Sequence, residues 1–285
     1  MIKSIGILYI CTGPYALFWK DFYESFEKKF LPSYEKKYYV FTDVEEIFAE
    51  KNLNVKKIKV EPMPWPLITL FRFSTFLNIE DELKKCDYLM FSNANMICNE
   101  IVTPEEFLPR ENEVLSVTAH PGYYGKRKIE FPYERRKIST AYIPWNCGEN
   151  YVIGAMFCGT SNAFIKMSKT LKRNIEEDLK KNIIAKWHDE SQLNRYIINK
   201  PGVRILEPMY CYPYSMEVSY PKKIYAVSKQ AKFDVKSFKG QYAKRQSSVR
   251  KSLGVLKRKL LLKERFLYLI DAISGVHIGE ISDEE

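Results

Sequence analysis

The chain lacks any run of the roughly 18 consecutive apolar residues that a membrane-spanning helix needs. It has no Cys-x-x-Cys pair, and no histidine cluster accompanies its six cysteines, so a zinc site is not expected. Cys11, Cys86, Cys98, Cys147, Cys158 and Cys211 are scattered through 285 residues and read as reduced core or loop cysteines. No internal repeat or low-complexity segment is visible. The opening stretch, Met-Ile-Lys-Ser-Ile-Gly-Ile-Leu-Tyr, is too short and too strand-like for a signal peptide. With 46% apolar and 14% aromatic residues, the expectation is a folded cytosolic protein with a sizeable core.

Positive charge is present but unevenly placed. From Lys222 to Arg265 there are 15 Lys/Arg against 2 acids, a surplus of +13, which leaves −3 of the net +10 for the remainder. The basic character therefore belongs to a tail. Such a tail suits nucleic acid, anionic lipid or a nucleotide phosphate, or is a solvated arm. Residues 244–263 mix basic residues with Leu253, Val255, Leu256 and 260–262, a combination that can lie on a membrane surface.

Along the chain, Ile5–Thr12 is a continuous apolar run closed by Gly13-Pro14, which predicts a buried first strand and a turn. Phe18, Phe22, Phe26 and Phe30 recur at helical spacing. Tyr38–Thr42 and Val55–Val60 predict two more strands, and the strand–helix–strand opening points to a parallel α/β sheet. Ligands bind at the carboxyl ends of such strands, so Cys11–Tyr15 and Thr42-Asp43 are site candidates. The Pro-rich stretch 62–66, with Trp65, is a loop, and Leu67–Leu83 is a helix carrying Arg72 among Phe71, Phe73 and Phe76. On these neighbours alone Arg72 reads as a surface residue laying its stem on apolar groups.

The strand Asp87–Asn95 ends in Asn93-Ala94-Asn95, which puts two short amides on one side of the chain, although most such triplets are turns. Residues 120–146 are irregular and rich in aromatics, a density that argues against disorder and suits the apolar face of a sugar ring. Val152–Gly159 is a strand of small residues that would let backbone approach a ligand. Ser161–Lys181 predicts a helix and Arg204–Leu206 a short strand.

The chemistry concentrates in Trp187-His188-Asp189-Glu190-Ser191-Gln192-Leu193-Asn194-Arg195-Tyr196. On a helix Glu190 and Asn194 share a face, whereas Asp189 and Glu190 diverge by about 100°. Two adjacent acids would thus reach different targets, one a substrate group and one a reacting centre. The alternative is a helix start, where acids suit the helix dipole.

Tyr39-Val-Phe-Thr-Asp43, the strand ending in Asn93-Ala-Asn95, His120-Pro-Gly-Tyr-Tyr-Gly125, Tyr133-Glu-Arg-Arg136, Ala141-Tyr-Ile-Pro144 and Trp187-His-Asp-Glu-Ser191 occur in this order. Together they closely resemble glycosyltransferase family six, which includes the blood-group A and B transferases and the α-1,3-galactosyltransferase. The resemblance covers roughly residues 4–232. It implies a GT-A fold: an α/β catalytic domain over residues 1–236 with a Rossmann-like nucleotide-binding half and a mixed central sheet. Residues 237–285 remain as a basic amphipathic tail. The implied reaction moves galactose or N-acetylgalactosamine from a UDP-sugar to a galactose 3-hydroxyl of an oligosaccharide acceptor with retention, and a fucosylated acceptor would fit.

By the same resemblance, Glu190 matches the catalytic glutamate and Asp189 a contact to the donor sugar. Ile10, Cys11, Thr12 and Tyr15 match the uridine-binding turn, and Arg72 an arginine near the donor, which reverses the surface reading. Asn93, Ala94 and Asn95 stand at the donor's diphosphate, Ile153 and Ala155 at donor-choosing positions, and Lys229 matches a lysine that reaches the UDP phosphates. His120 and Trp187 match acceptor contacts, and Pro132 occupies an acceptor-loop position where animal members have Thr. Ala155 leaves less room than Gly would, which leans towards galactose. Tyr212-Pro213 replaces a Trp-Asp pair of the animal members.

Asn-x-Asn in place of Asp-x-Asp looks like the bacterial branch. Hard cations favour charged oxygen ligands, so no divalent metal and no other cofactor is expected. The lysines of the segment 222–232 would supply the charge instead. No membrane-anchoring stem is apparent, and the expected place is the cytoplasm, with the tail at the inner face of an anionic membrane and no nucleic-acid partner. The rival reading is a catalytically inactive, transferase-like body that binds glycan or membrane. Intact Asp189, Glu190 and His120 weigh against it.

Overall fold

The computed structural model describes residues 2–63, 65–218 and 221–235. The predicted tail, 237–285, and its basic stretch at 244–263 lie outside the described residues. A seven-stranded sheet runs β3 (Val55–Lys59), β2 (Glu35–Thr42), β1 (Ser4–Ile10), β4 (Tyr88–Ser92), β7 (Val152–Thr160), β6 (Leu115–Ala119), β8 (Val203–Leu206) from edge to edge. A second sheet of three short strands orders β5 (Met96–Cys98), β10 (Ile224–Ala226) and β9 (Tyr212–Pro213).

The opening does form the expected parallel unit: β1 pairs in parallel with β2 and β4, and β2 with β3. The sheet as a whole is mixed, because β7 runs antiparallel to both β4 and β6. The parallel reading holds for the opening only, and the mixed sheet is the one the GT-A resemblance implies. Apolar runs do not encode strand direction.

Each face of the sheet has its own core. On one side α1 (Trp19–Lys29) packs Phe22 and Phe26, their rings stacked at 4.0 Å, against Ile5, Ile7 and Tyr9. The first phenylalanine of the predicted stripe, Phe18, closes a 3₁₀ turn, Gly13–Phe18, and Phe30 caps the helix, so all four are buried. Gly13 has φ +55, a conformation glycine tolerates without a Cβ clash. On the other side lie α6 (Ser161–Lys180) and α7 (His188–Ile197) with Phe73, Phe76, Phe157 and Phe164.

The predicted helix over residues 67–83 is three short pieces: α2 (Leu67–Leu70), α3 (Arg72–Leu77) and α4 (Glu80–Leu83). The breaks have a local cause. The stretch is crowded with β-branched and aromatic side chains, and the Thr69 and Thr75 hydroxyls donate to the carbonyls of Pro66 and Phe71 at 2.7 and 3.1 Å. Arg72 starts α3 and is only 6% exposed. A further short helix, α5 (Pro104–Phe107), buries Phe107 against Phe30. Among the described residues no helix is long and apolar enough to cross a membrane.

The irregular segment is ordered, as its aromatics suggest. Phe131, Tyr133, Ile143 and Tyr151 form a third, small core with Tyr123 against it. Asp178, near the end of α6, fastens this segment: its carboxylate accepts from Ser139 Oγ at 2.6 Å, Thr140 N at 2.7 Å and Gln192 Nε2 of α7 at 3.1 Å. One buried carboxylate thereby joins α6, the aromatic segment and the helix bearing Asp189 and Glu190. Asp178→Ala would leave three donors without their acceptor, and stability should fall by about 3 kcal/mol. Urea unfolding of the full chain measures this.

Candidate active site

The carboxyl ends of β1, β2 and β4 meet at one edge of the sheet, where parallel topology places ligands. Thr42 Oγ1 donates to the Cys11 carbonyl at 2.7 Å, and Gly13 N donates to Asp43 Oδ1 at 2.7 Å. Thr42-Asp43 therefore shapes the loop after β1 and is not itself part of the cleft wall. Cys11 N donates to Phe41 O at 2.9 Å, and its side chain is buried in the core, so Cys11 holds the loop from inside.

A cleft of about 900 Å³, part of it open to solvent, lies over this edge. Of the predicted donor residues, Ile10, Thr12, Tyr15, Arg72, Asn93, Ala94, Asn95 and Lys229 line it. The Lys229 ammonium lies 5.4 Å from the centre of the Tyr15 ring. Sequence reasoning did not assign Met63, Trp65, Ile68, Thr69 or Phe91, which complete the wall. The proline-rich loop could have been suspected, since a tryptophan held between prolines is a rigid exposed platform; Trp65 meets His188 edge-on at 4.9 Å.

Arg72 is the joint between this cleft and the two acids. Its Nη1 donates to Gly154 O at 2.7 Å and lies 3.1 Å from Asp189 Oδ2, and its guanidinium carbon sits 4.2 Å from the centre of the Phe91 ring. Its Nε is buried with no hydrogen-bond partner. Asp189 is only 5% exposed. Burial pushes its carboxyl up to about 6 and the nearby Arg72 charge opposes that rise. Burial also lowers the Arg72 guanidinium from its ordinary value, against the pull of Asp189 and Glu190.

Glu190 points elsewhere, as the helical geometry requires. Oε1 accepts from Tyr151 Oη at 2.6 Å and Oε2 from Gly154 N at 2.8 Å. Both oxygens are thus fixed while further lone pairs remain available. Burial pushes its carboxyl up to about 7; the Gly154 and Tyr151 hydrogen bonds pull the other way. Gly154 permits this approach, because a Cβ there would lie 3.0 Å from Glu190 Cβ and 3.3 Å from Asp189 Oδ2. The helix start is observed: α7 begins at His188, with Asp189 and Glu190 in its first turn and Asp189 buried. His188, the residue before Asp189, has φ +53, an uncommon conformation for a residue with a side chain.

His120 stands on the other side of Tyr151. Their ring centres are 5.6 Å apart, and His120 N donates to Tyr151 O at 2.8 Å. Gly122 N donates to His120 Nδ1 at 3.0 Å, so the neutral ring carries its proton on Nε2. Burial lowers the imidazole below its ordinary value and favours that neutral form. Trp187 is 48% exposed, and its backbone N donates to Ser191 Oγ at 3.0 Å. Pro132 is buried between Phe131 and Tyr133 of the aromatic cluster. Ile153 and Ala155 flank Gly154, with Asn93 N donating to Ala155 O at 2.9 Å. His120, Trp187, Pro132, Ile153, Ala155, Asp189 and Glu190 are not on the cleft wall itself. Tyr151 is the residue sequence reading missed, since a lone tyrosine before a strand carries no motif.

The Asn-x-Asn end of β4 fits a divalent cation poorly. Asn93 and Asn95 are neutral, and the Asn95 amide nitrogen already donates to Val227 O at 2.6 Å. Among the described residues, no group of three His, Cys, Asp or Glu side chains could hold a metal.

A sequence model of glycosyltransferase family 6 matches residues 2–237. The chain is 40% identical over 210 residues to the O-antigen biosynthesis glycosyltransferase WbnI of Escherichia coli, covering 73% of this chain and 88% of that protein. It is 31% identical to the histo-blood group ABO system transferase 2 of Rattus norvegicus, covering 73% of this chain and 63% of the relative. It is 30% identical to the globoside alpha-1,3-N-acetylgalactosaminyltransferase 1 of Gallus gallus, covering 73% and 61%. The chain thus spans less than two thirds of these vertebrate relatives.

The raised carboxyls have a consequence for stability. A folded-state value above the unfolded one means that the folded chain holds the proton more tightly. Stability from that source is full below about pH 4 and is lost as pH rises through about 6 for Asp189 and about 7 for Glu190. Glu190→Gln removes one of these buried charges. Relative to the parent, the variant should gain on the order of 2 kcal/mol of stability between pH 5 and pH 8. Paired thermal melts at the two pH values check this, and a constant difference would refute it.

Proposed function

Because the chain belongs to glycosyltransferase family 6, we propose that it transfers galactose or N-acetylgalactosamine from a UDP-sugar to a glycan acceptor, forming an α-1,3 linkage with retention of configuration. One observation carries the reading: Arg72 joins a cleft suited to a nucleotide with the buried Asp189, next to Glu190. In this reading uridine lies by Tyr15 and the loop after β1. The diphosphate lies between Asn93 and Lys229, and the donor sugar reaches the Arg72–Asp189 pair.

Glu190 acts on the anomeric carbon. Retention needs either a nucleophile on the face opposite the departing UDP or a negative charge beside an oxocarbenium-like centre, and a fixed carboxylate serves both. Tyr151 and Gly154 hold it without consuming all its lone pairs. Lys229 offsets the charge that develops on the leaving diphosphate, a contribution that grows towards the transition state. His120, a donor through Nε2, meets an acceptor hydroxyl, and the exposed face of Trp187 takes the apolar side of the acceptor ring. Ala155 beside Gly154 favours galactose over the larger N-acetylated sugar. UDP leaves with the positive field supplied by Lys229 and Arg72, so a divalent cation has no step to perform.

The test is a donor-by-acceptor screen with mass detection, in which product should gain one hexose or one N-acetylhexosamine. Failure of every UDP-sugar with every β-galactoside would refute the proposal. Turnover should persist in excess EDTA; loss with EDTA and recovery with manganese would refute metal independence. Glu190→Gln should lower turnover roughly a hundredfold with donor affinity little changed. In the parent, turnover should rise with pH through about 7 as Glu190 ionises. A variant within a few-fold of the parent rate would make Glu190 a structural cap only.

A further inference from the structure

The two amides that close β4 are treated differently by the fold. Asn93 is half-buried and lines the cleft. Asn95 is only 7% exposed, and its Nδ2 donates to Val227 O at 2.6 Å while Val227 N donates back to Asn95 O at 2.9 Å. These two bonds tie the end of β4 to the residue just after β10. The tie continues the antiparallel pairing of β10 with β5, Ile224 to Cys98 and Ala226 to Met96.

Beyond Val227 the chain makes a 3₁₀ turn, Lys229–Ala231, and is fastened again on the far side of the cleft. There Phe233 meets Tyr15 edge-on at 5.1 Å and Phe18 at 6.3 Å, and Lys232 pairs with Asp21 at 2.9 Å. Lys229 lies between the two anchors, in the cleft wall.

We propose that Asn95 is a positioning residue whose side-chain amide latches residues 224–233 across the cleft and so holds Lys229 where the donor diphosphate would lie. The placement of the diphosphate rests on the UDP-sugar reading above; the latch does not. The chemistry is specific to an amide. An asparagine NH₂ donates to a carbonyl, whereas a carboxylate accepts only. With Asn95→Asp, two acceptors would face each other in a buried place, and the cost of an unmet buried polar group would fall on the latch. Asparagine at position 95 thus does more than lack the charge that would favour a cation: it supplies the donor that keeps the compensating lysine in place.

The experiment uses the full chain and four variants: Asn95→Ala, Asn95→Asp, Lys229→Ala and the double variant Asn95→Ala/Lys229→Ala. Hydrogen–deuterium exchange over residues 224–233, with no ligand, reads the latch. Exchange there should be about tenfold faster than in the parent for Asn95→Ala, and for Asn95→Asp at pH 8. UDP affinity by calorimetry reads the lysine. Lys229→Ala should weaken UDP binding about tenfold, Asn95→Ala should approach the same loss, and the double variant should be no weaker than Lys229→Ala alone, because a group acting through another shows no added effect.

Parent-like exchange in Asn95→Ala would overturn the latch, and so would parent-like exchange in Asn95→Asp at pH 8. Additive losses in the double variant, about a hundredfold, would overturn action through Lys229. Unchanged UDP affinity in Lys229→Ala would overturn the diphosphate placement, and exchange in the ligand-free chain separates that failure from failure of the latch.

Discussion

The buried guanidinium of Arg72 is the constraint around which the site is arranged. A charge at 6% exposure is tolerated only when paired and hydrogen-bonded. Asp189 supplies the countercharge, Gly154 the carbonyl and Phe91 a ring face. These partners come from α7, β7 and β4, so one side chain fixes the spacing of three elements. Arg72 stands at the first position of α3, just past the break in the helical run. Losing either member of such a pair strands a buried charge, which costs more than the pair contributes.

Gly154 carries the second constraint. Its carbonyl accepts from Arg72, its N–H donates to Glu190, and its missing side chain lets α7 approach β7. Asp189 and Glu190 therefore point in different directions from one helical turn, Glu190 held by the Gly154 N–H and Asp189 by the guanidinium that Gly154 O accepts from. Their raised carboxyls are the electrostatic cost of that burial. Stability given up at a site in this way is common where a charge must act on a ligand.

The cleft and the aromatic side of the site are built by different means. The cleft forms at the ends of parallel strands, as sheet topology dictates, and is closed by residues 224–233. The other side forms around the aromatic cluster, where His120 and Tyr151 pack against each other and Tyr151 reaches Glu190. A shift in that cluster would reach the carboxylate through a single hydroxyl.

Much of this was legible in the sequence because it is local. Apolar runs give the strands β1, β2, β4 and β7, the phenylalanine stripe gives α1, and Trp187-His-Asp-Glu-Ser191 marks its own helix start and its two acids. The motifs also identify the family, and most residues they nominate as donor contacts line one cleft. Other features belong only to the tertiary structure, because they depend on what a residue meets from far along the chain. From its neighbours alone Arg72 reads as a surface residue, and the resemblance moves it near the donor, but its partner Asp189, 117 positions away, appears only in the fold. Cys11 and Thr42-Asp43 stand at strand ends like site residues, yet they hold the loop from behind. Tyr151 has no motif, and its role exists only where β7 meets α7. Asn93 and Asn95 look equivalent in a triplet of period two, but Val227, 132 residues later, takes one amide and leaves the other facing the cleft. Side-chain periodicity fixes which face a residue occupies; long-range packing decides what that face meets.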